Sequence, residues 1–229
     1  MNLGPGSLKF NHRCILNTRL SKKLIKRYLA GEIDWSHRDL AGLKKALRYS
    51  LRQQQEERCI YCRRKIKHER RNANEDIEHF LDKSKAHYVR WAFSCANLTL
   101  SCRACNFVKN TKEMGDRSVQ VAPWLCPDIG VFRWLHPYFD DYHANIEICK
   151  GWIYRIRPLA PNRVSASNLV NDCELYSING IEKNAEEFKR KIARMSSITT
   201  RLLRKGNAAR ALRMSEATEH FIETDWFNF

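Results

Sequence analysis

No stretch of the chain approaches the ~20 consecutive apolar residues that cross a bilayer, so a membrane-spanning helix is not expected. The opening residues, MNLGPGSLKFNHRC, lack the apolar core of a secretory signal, which points to a cytosolic protein. Internal repeats and low-complexity linkers are missing, which argues against a solenoid or a tethered array. A phosphate-binding G-x-x-x-x-G-K-[ST] loop is missing as well, so any dependence on ATP must come from a partner. Acidic residues are scarce: 25 Asp and Glu face 41 Lys and Arg, a formal charge of +16. At 229 residues and 27.0 kDa there is room for one sizeable core with helical additions.

The positive charge is uneven. Residues 1–72 hold nineteen basic and six acidic side chains, a net +13, leaving only +3 for the other 157 residues. A surplus gathered this way is the footprint expected for a phosphate backbone, because each Lys or Arg near a phosphate releases condensed counterions. A solvated face that aids solubility has the same composition.

Nine cysteines cannot all pair within the chain, and a reducing cytosol disfavours disulfides in any case. Cys14, Cys95, Cys126, Cys149 and Cys173 stand singly and read as buried apolar side chains. The other four form two C-x-x-C pairs, Cys59-Ile60-Tyr61-Cys62 and Cys102-Arg103-Ala104-Cys105. Two residues between thiolates let a tight turn aim both sulfurs at one ion, and two such turns complete the tetrahedron that Zn2+ prefers. Arg58, Arg63, Arg64, Lys65 and Arg103 would favour thiolate over thiol. Four protein ligands leave no open position, so this zinc should hold the fold together rather than catalyse.

Helical spacing of Leu20, Leu24, Ile25, Tyr28 and Leu29 predicts a basic amphipathic helix over 18–30, ended by Gly31. Ser36 with Asp39 suggests a capping box before a second helix carrying Leu40, Leu43, Leu47 and Leu51. Alternation around Gly151, with Ile146 and Ile148 before it and Trp152, Tyr154 and Ile156 after, predicts a β-hairpin. From Asn179-Gly180 onward, Ile181, Ala185, Phe188, Ile192, Met195, Ile198 and Leu202 mark a long helix, interrupted at Gly206 and followed by another to about His220. The aromatic tail HFIETDWFNF suits docking into a groove or folding back on its own core.

Between the cysteine pairs lie Asp76, Glu78, His79 and Asn97, with Asn106 just beyond the second pair. Hydrolysing a phosphodiester requires a water deprotonated near neutral pH and something to absorb charge on the phosphorane. An imidazole titrates in the range for the first task. A hard cation on oxygen ligands suits the second, Mg2+ or Mn2+ rather than a further zinc, and Asp76, Glu78 and Asn106 offer such oxygens. In an extended strand Asp76 and Glu78 share a face and His79 points away, so a bulge near residue 78 would be needed for acid and base to cooperate. Either Asp76 or Glu78 could be the ligand.

These residues resemble the HNH, or ββα-metal, endonucleases, in the branch framed by two zinc-binding C-x-x-C pairs. The matching string is Cys59-x-x-Cys62, Asp76-Ile77-Glu78-His79-Phe80, Asn97-Leu98 and Cys102-x-x-Cys105-Asn106-x-x-Lys109. The resemblance implies a small ββα-metal core with a structural zinc over 58–115. Together with the helical and hairpin patterns read above, which give a basic helical extension at 1–57 and a mixed hairpin and helical region at 116–229, it makes the expected fold α+β. It implies His79 as general base, Asn97 as the residue that positions it, Asn106 as ligand of one divalent metal, and Glu78 in the place of the metal-binding acid. Asn106 stands where many relatives have histidine, and Asp82 where many have proline. Lys83, Lys109, Arg63 and Arg64 are candidate phosphate contacts. With Lys83, Trp91 and Lys109 the string is most similar to the HNH (PtuB) subunits of Septu-type and retron-associated phage-defence systems. That similarity implies an ABC-type ATPase partner (PtuA-like), for the retron-linked members also a reverse transcriptase with its RNA–DNA hybrid, and DNA or RNA as substrate. A stand-alone restriction or homing endonuclease, and a zinc module that binds nucleic acid or bridges proteins without catalysis, are the alternative readings.

Overall fold

Thr18 starts the first long helix by accepting a hydrogen bond from the Ser21 amide, and Gly31, at φ 74°, allows the chain to leave it. The computed structural model describes residues 2–67 and 74–225, apart from the side chains of 179–186 and 225; the last four residues of the aromatic tail fall outside it. Helices α1 (Arg13–Leu16), α2 (Arg19–Leu29) and α3 (Ala41–Gln54) come first. A single 3-10 turn, Arg38–Leu40, precedes α3, and its cap is the ring of His37, which accepts from the Asp39 amide. Ser36 is not the cap: its hydroxyl is spent on Asp34, 2.7 Å away.

Strands β1 (Glu75–His79) and β2 (Leu98–Cys102) pair antiparallel in unbroken register, from Glu75 opposite Cys102 to His79 opposite Leu98. The bulge expected near residue 78 is therefore absent from this ladder. α4 (Arg103–Lys109) follows β2 directly, with Cys102 at its N-cap. After the short helices α5 (Arg117–Val121) and α6 (Tyr142–Asn145), β3 (Ile146–Cys149) and β4 (Ile153–Ile156) form the expected hairpin, its turn containing Gly151 at φ 79°. α7 (Arg163–Asp172), α8 (Ile178–Arg204) and α9 (Ala208–Asp225) complete the chain. The fold is thus α+β, with two small antiparallel sheets among the described residues.

The chain divides into two compact units, residues 1–149 with 154–175, and residues 150–153 with 176–229. In the first, Leu40, Leu43, Leu47 and Leu51 of α3 pack with Leu16, Leu24 and Ile33 onto Ile77, Leu98 and Leu100 of the sheet. Arg52 clamps Glu75 at the start of β1 with two bonds of 2.6 and 2.9 Å. Gln55 does the same for β2 by another means: its amide accepts from the Leu100 N–H and donates to the Leu100 carbonyl, both at 2.8 Å. That exchange copies a ladder pair with a side chain. In the second unit α8 and α9 form a helical hairpin in which the rings of Phe188 and Phe221 lie 5.3 Å apart. No helix among the described residues is long and apolar enough to cross a membrane.

Candidate functional site

The four sulfurs of Cys59, Cys62, Cys102 and Cys105 lie within 4.8 Å of one another, with Cys62 and Cys102 3.9 Å apart. Tetrahedral zinc–thiolate bonds of about 2.3 Å put sulfurs about 3.8 Å apart, so the cluster can hold such an ion. Local chain geometry aims them: the Arg63 amide bonds the Cys59 carbonyl at 3.0 Å and Arg63 takes a φ of 61°, closing the first turn, while Cys102 and Cys105 flank the first turn of α4. Burial pushes the Cys59 thiol well above its ordinary value, whereas Cys102 is pulled below it by hydrogen bonds from Cys105, Cys59 and Cys62. The side chain of Arg63 is a second sign of charge here. It is 2 % exposed, lies 4.1 Å over the Tyr142 ring, and its Nε and Nη1 have no hydrogen-bond partner among the described residues. A divalent ion on four thiolates would carry a net charge of −2 and would give this buried cation a counter-charge.

Arg63 therefore cannot meet a phosphate, contrary to the expectation from sequence, because it is sealed beside the sulfurs. Arg64 is half-buried on the same knuckle and takes the Cys59 N–H on its carbonyl at 2.9 Å.

A separate cleft of about 310 Å³ opens where β1 ends and α4 runs past it. His79, Glu78, Asn106, Asp82, Lys83 and Phe107 are among its lining residues. Strand alternation sorts their side chains. Asp76 and Glu78 face α4, where the Asn106 amide donates to Asp76 at 2.9 Å and the Lys109 ammonium sits 2.6 Å from Glu78 Oε1. Tyr61 adds its hydroxyl to the same Oε1 at 3.3 Å. Burial raises the Glu78 carboxyl above its usual range, and Lys109 opposes that rise.

Lys109 is 2 % exposed and also donates to the His79 carbonyl at 2.8 Å. This corrects its assignment as a phosphate contact: it is an internal brace between α4 and the end of β1. Lys83, by contrast, is half-buried at the cleft, its ammonium 5.6 Å from the centroid of the Trp35 ring.

His79 is 4 % exposed, and its ring meets Trp35 edge-on at 4.5 Å. Burial, followed by the charges of Lys83 and Lys109, holds its pKa well below the ordinary range, against a hydrogen bond to the backbone of Ala92 that acts the other way. Nε2 has no partner among the described residues. Burial thus favours the neutral ring, which has one nitrogen able to accept a proton. With no bulge in the ladder the ring leaves β1 on the Trp35 side, opposite the face of Asp76 and Glu78, and a neutral imidazole is by its chemistry able to accept a proton from water. Asn97 braces the loop that follows β1: it accepts from the Leu81 N–H at 2.6 Å, donates to the carbonyls of Leu81 and Trp91 at 3.0 and 3.1 Å, and its own carbonyl takes the Phe80 N–H.

No known protein family matches this chain, and no curated protein or solved structure matches it. The site thus stands on its geometry. Cysteine spacing and the Asp-x-Glu-His run were visible in the sequence, and the structure brings Glu78, His79 and Asn106 to one cleft. Trp35 and the Ala92 carbonyl were missed, since neither carries a local signal; Tyr61 was visible between Cys59 and Cys62 but had no assigned partner. Of the five single cysteines only Cys173 is buried, and Cys14 is exposed, so the expectation of uniform burial fails for that group.

Proposed function

We propose that the protein is a metal-dependent endonuclease of the HNH type, hydrolysing phosphodiester bonds in DNA or RNA, and that it serves as the effector nuclease of a multi-protein phage-defence complex with an ABC-type ATPase. The observation that carries the catalytic reading is the unpartnered Nε2 of His79, a residue that lines the same polar cleft as Glu78 and Asn106. In this reading Nε2 takes the proton of the attacking water. Asn97 keeps the loop after β1 in place, so the ring stays in position through the reaction. Lys83 draws a phosphate into the cleft by its charge. The cleft oxygens of Glu78 and Asn106 form a hard donor set that fits Mg2+ or Mn2+. When bound, such an ion neutralises charge gathering on the phosphate oxygens. Zinc at the four cysteines holds β2 and α4 to the first knuckle and takes no part in the chemistry. The defence role and its partners, the ATPase and for a retron-linked member the reverse transcriptase with its RNA–DNA hybrid, rest on the sequence resemblance.

Cleavage of single- and double-stranded DNA and RNA with Mg2+ or Mn2+, by wild-type and His79→Ala protein matched for zinc content, tests the proposal. The substitution should slow cleavage by about 10²–10⁴-fold. Equal rates would remove His79 from the chemistry. One observation favours a second reading, a zinc-stabilised nucleic-acid-binding module: Nε2 is buried with Trp35 against its ring. A protein that binds nucleic acid equally well with His79→Phe, and cuts with neither, would establish that reading instead.

A further inference from the structure

Resting on the metal-dependent reading above, we propose that Asp76 is not a ligand of the catalytic cation but the positioning residue that fixes which atom of Asn106 faces it. The argument begins with donor chemistry. An ionised carboxylate can only accept hydrogen bonds, and the only donor in an asparagine side chain is its amide nitrogen. The 2.9 Å contact between Asp76 Oδ2 and Asn106 therefore admits one orientation, with Nδ2 on Asp76 and Oδ1 turned the other way. Hard divalent cations bind amide oxygen and not amide nitrogen, so only this orientation offers Asn106 as a ligand.

Position separates the two carboxylates further. Glu78 and Asn106 line the cleft and Asp76 does not. Asp76 lies two residues earlier on the same face of β1, paired with Ser101, and meets Asn106 of α4 there. The backbone on both sides of the contact is fixed, by the β1–β2 ladder under Asp76 and by the cysteine turn that opens α4 before Asn106. Glu78 is oriented in a parallel way, because Lys109 and Tyr61 both hold its Oε1. Asn106 thus has a partner outside the cleft in Asp76 and Glu78 has one in Tyr61, and outer partners of this kind commonly change metal affinity by about 10–100-fold.

Mn2+ titration of zinc-loaded protein, followed by the electron paramagnetic resonance signal of free Mn2+, reads this role without any substrate. Wild type should bind one Mn2+ beyond the zinc, and Asn106→Ala should lose it. Asp76→Ala should weaken binding by about 10–100-fold. Asp76→Asn, which keeps an oxygen acceptor in the same place without the charge, should bind close to wild type. Unchanged binding in Asp76→Ala would overturn the inference and leave the nuclease reading standing. Loss of binding in Asp76→Asn equal to that in Asp76→Ala would show that the charge at 76 meets the ion directly, which also overturns it. Wild type that binds no Mn2+ would overturn both. Zinc content and thermal midpoint report whether Asp76→Ala folds; if it does not, Asp76→Asn against wild type decides alone.

Discussion

Lys109 shows how little a residue's type says about its work. In sequence it is one more cation on a basic chain; in the fold its ammonium is buried between the Glu78 carboxylate and the His79 carbonyl. The two roles predict opposite outcomes for Lys109→Met. A phosphate contact would leave stability untouched and weaken binding. An internal brace leaves Glu78 as an uncompensated buried charge, so the variant should lose about 3–5 kcal/mol in urea unfolding at pH 7. Arg63 follows the same logic beside the cysteines. Neither burial could be read from sequence, because a buried cation is identified by its counter-charge, and the counter-charges come from β1 and from sulfurs that converge only in three dimensions. What could be read was local: the C-x-x-C turns, and the alternation that puts Asp76 and Glu78 on one face. Trp35 against His79 was out of reach, since the loop that carries it has no periodic relation to β1.

At the scale of elements, the two knuckles bring together three pieces of chain that bury little apolar surface alone: the turn at 59–62, β2 and α4. The ladder has five residue pairs, and α4 has seven residues. Such short elements are marginal without further cross-links. Metal binding to sites of this class contributes on the order of 10 kcal/mol in isolated peptides. Stripping the metal with a strong chelator, or replacing Cys59 and Cys105 together by serine, should therefore abolish the near-ultraviolet circular dichroism of the first unit's aromatic core. Helicity of the α8–α9 hairpin, which has its own Phe188–Phe221 contact, should survive. The helix and hairpin positions were legible because they follow short-range periodicity. The cap of the 3-10 turn before α3 was not, because His37 and Ser36 are both able to accept from the backbone and Asp34 decides between them.

For the whole molecule, acid is the relevant stress. His79, His136 and His12 are buried, and burial lowers the pKa of each. In the unfolded chain each titrates near 6.5. Below that pH the unfolded state binds protons that the folded state excludes, so stability is full above about pH 6.5 and falls as the pH drops through it. One such group costs about 1.4 kcal/mol per pH unit until its folded pKa is reached. The thermal midpoint should drop steadily from pH 7 to pH 5. His136→Phe should flatten that drop, since the ring is stacked on Phe139 at 3.9 Å with Phe80 and Phe132 also against it and its Nε2 has no partner among the described residues. An unchanged slope in that variant would place the acid sensitivity elsewhere.

The amide of Gln55 has a consequence beyond holding α3 to the sheet. With the ladder to β1 on one side of β2, and Gln55 and the Ile60 N–H meeting Leu100 on the other, the middle of β2 offers no open backbone to a stranger's strand. An open strand edge is a seed for cross-chain pairing, and the Gln55 amide with the Ile60 N–H closes this one at Leu100.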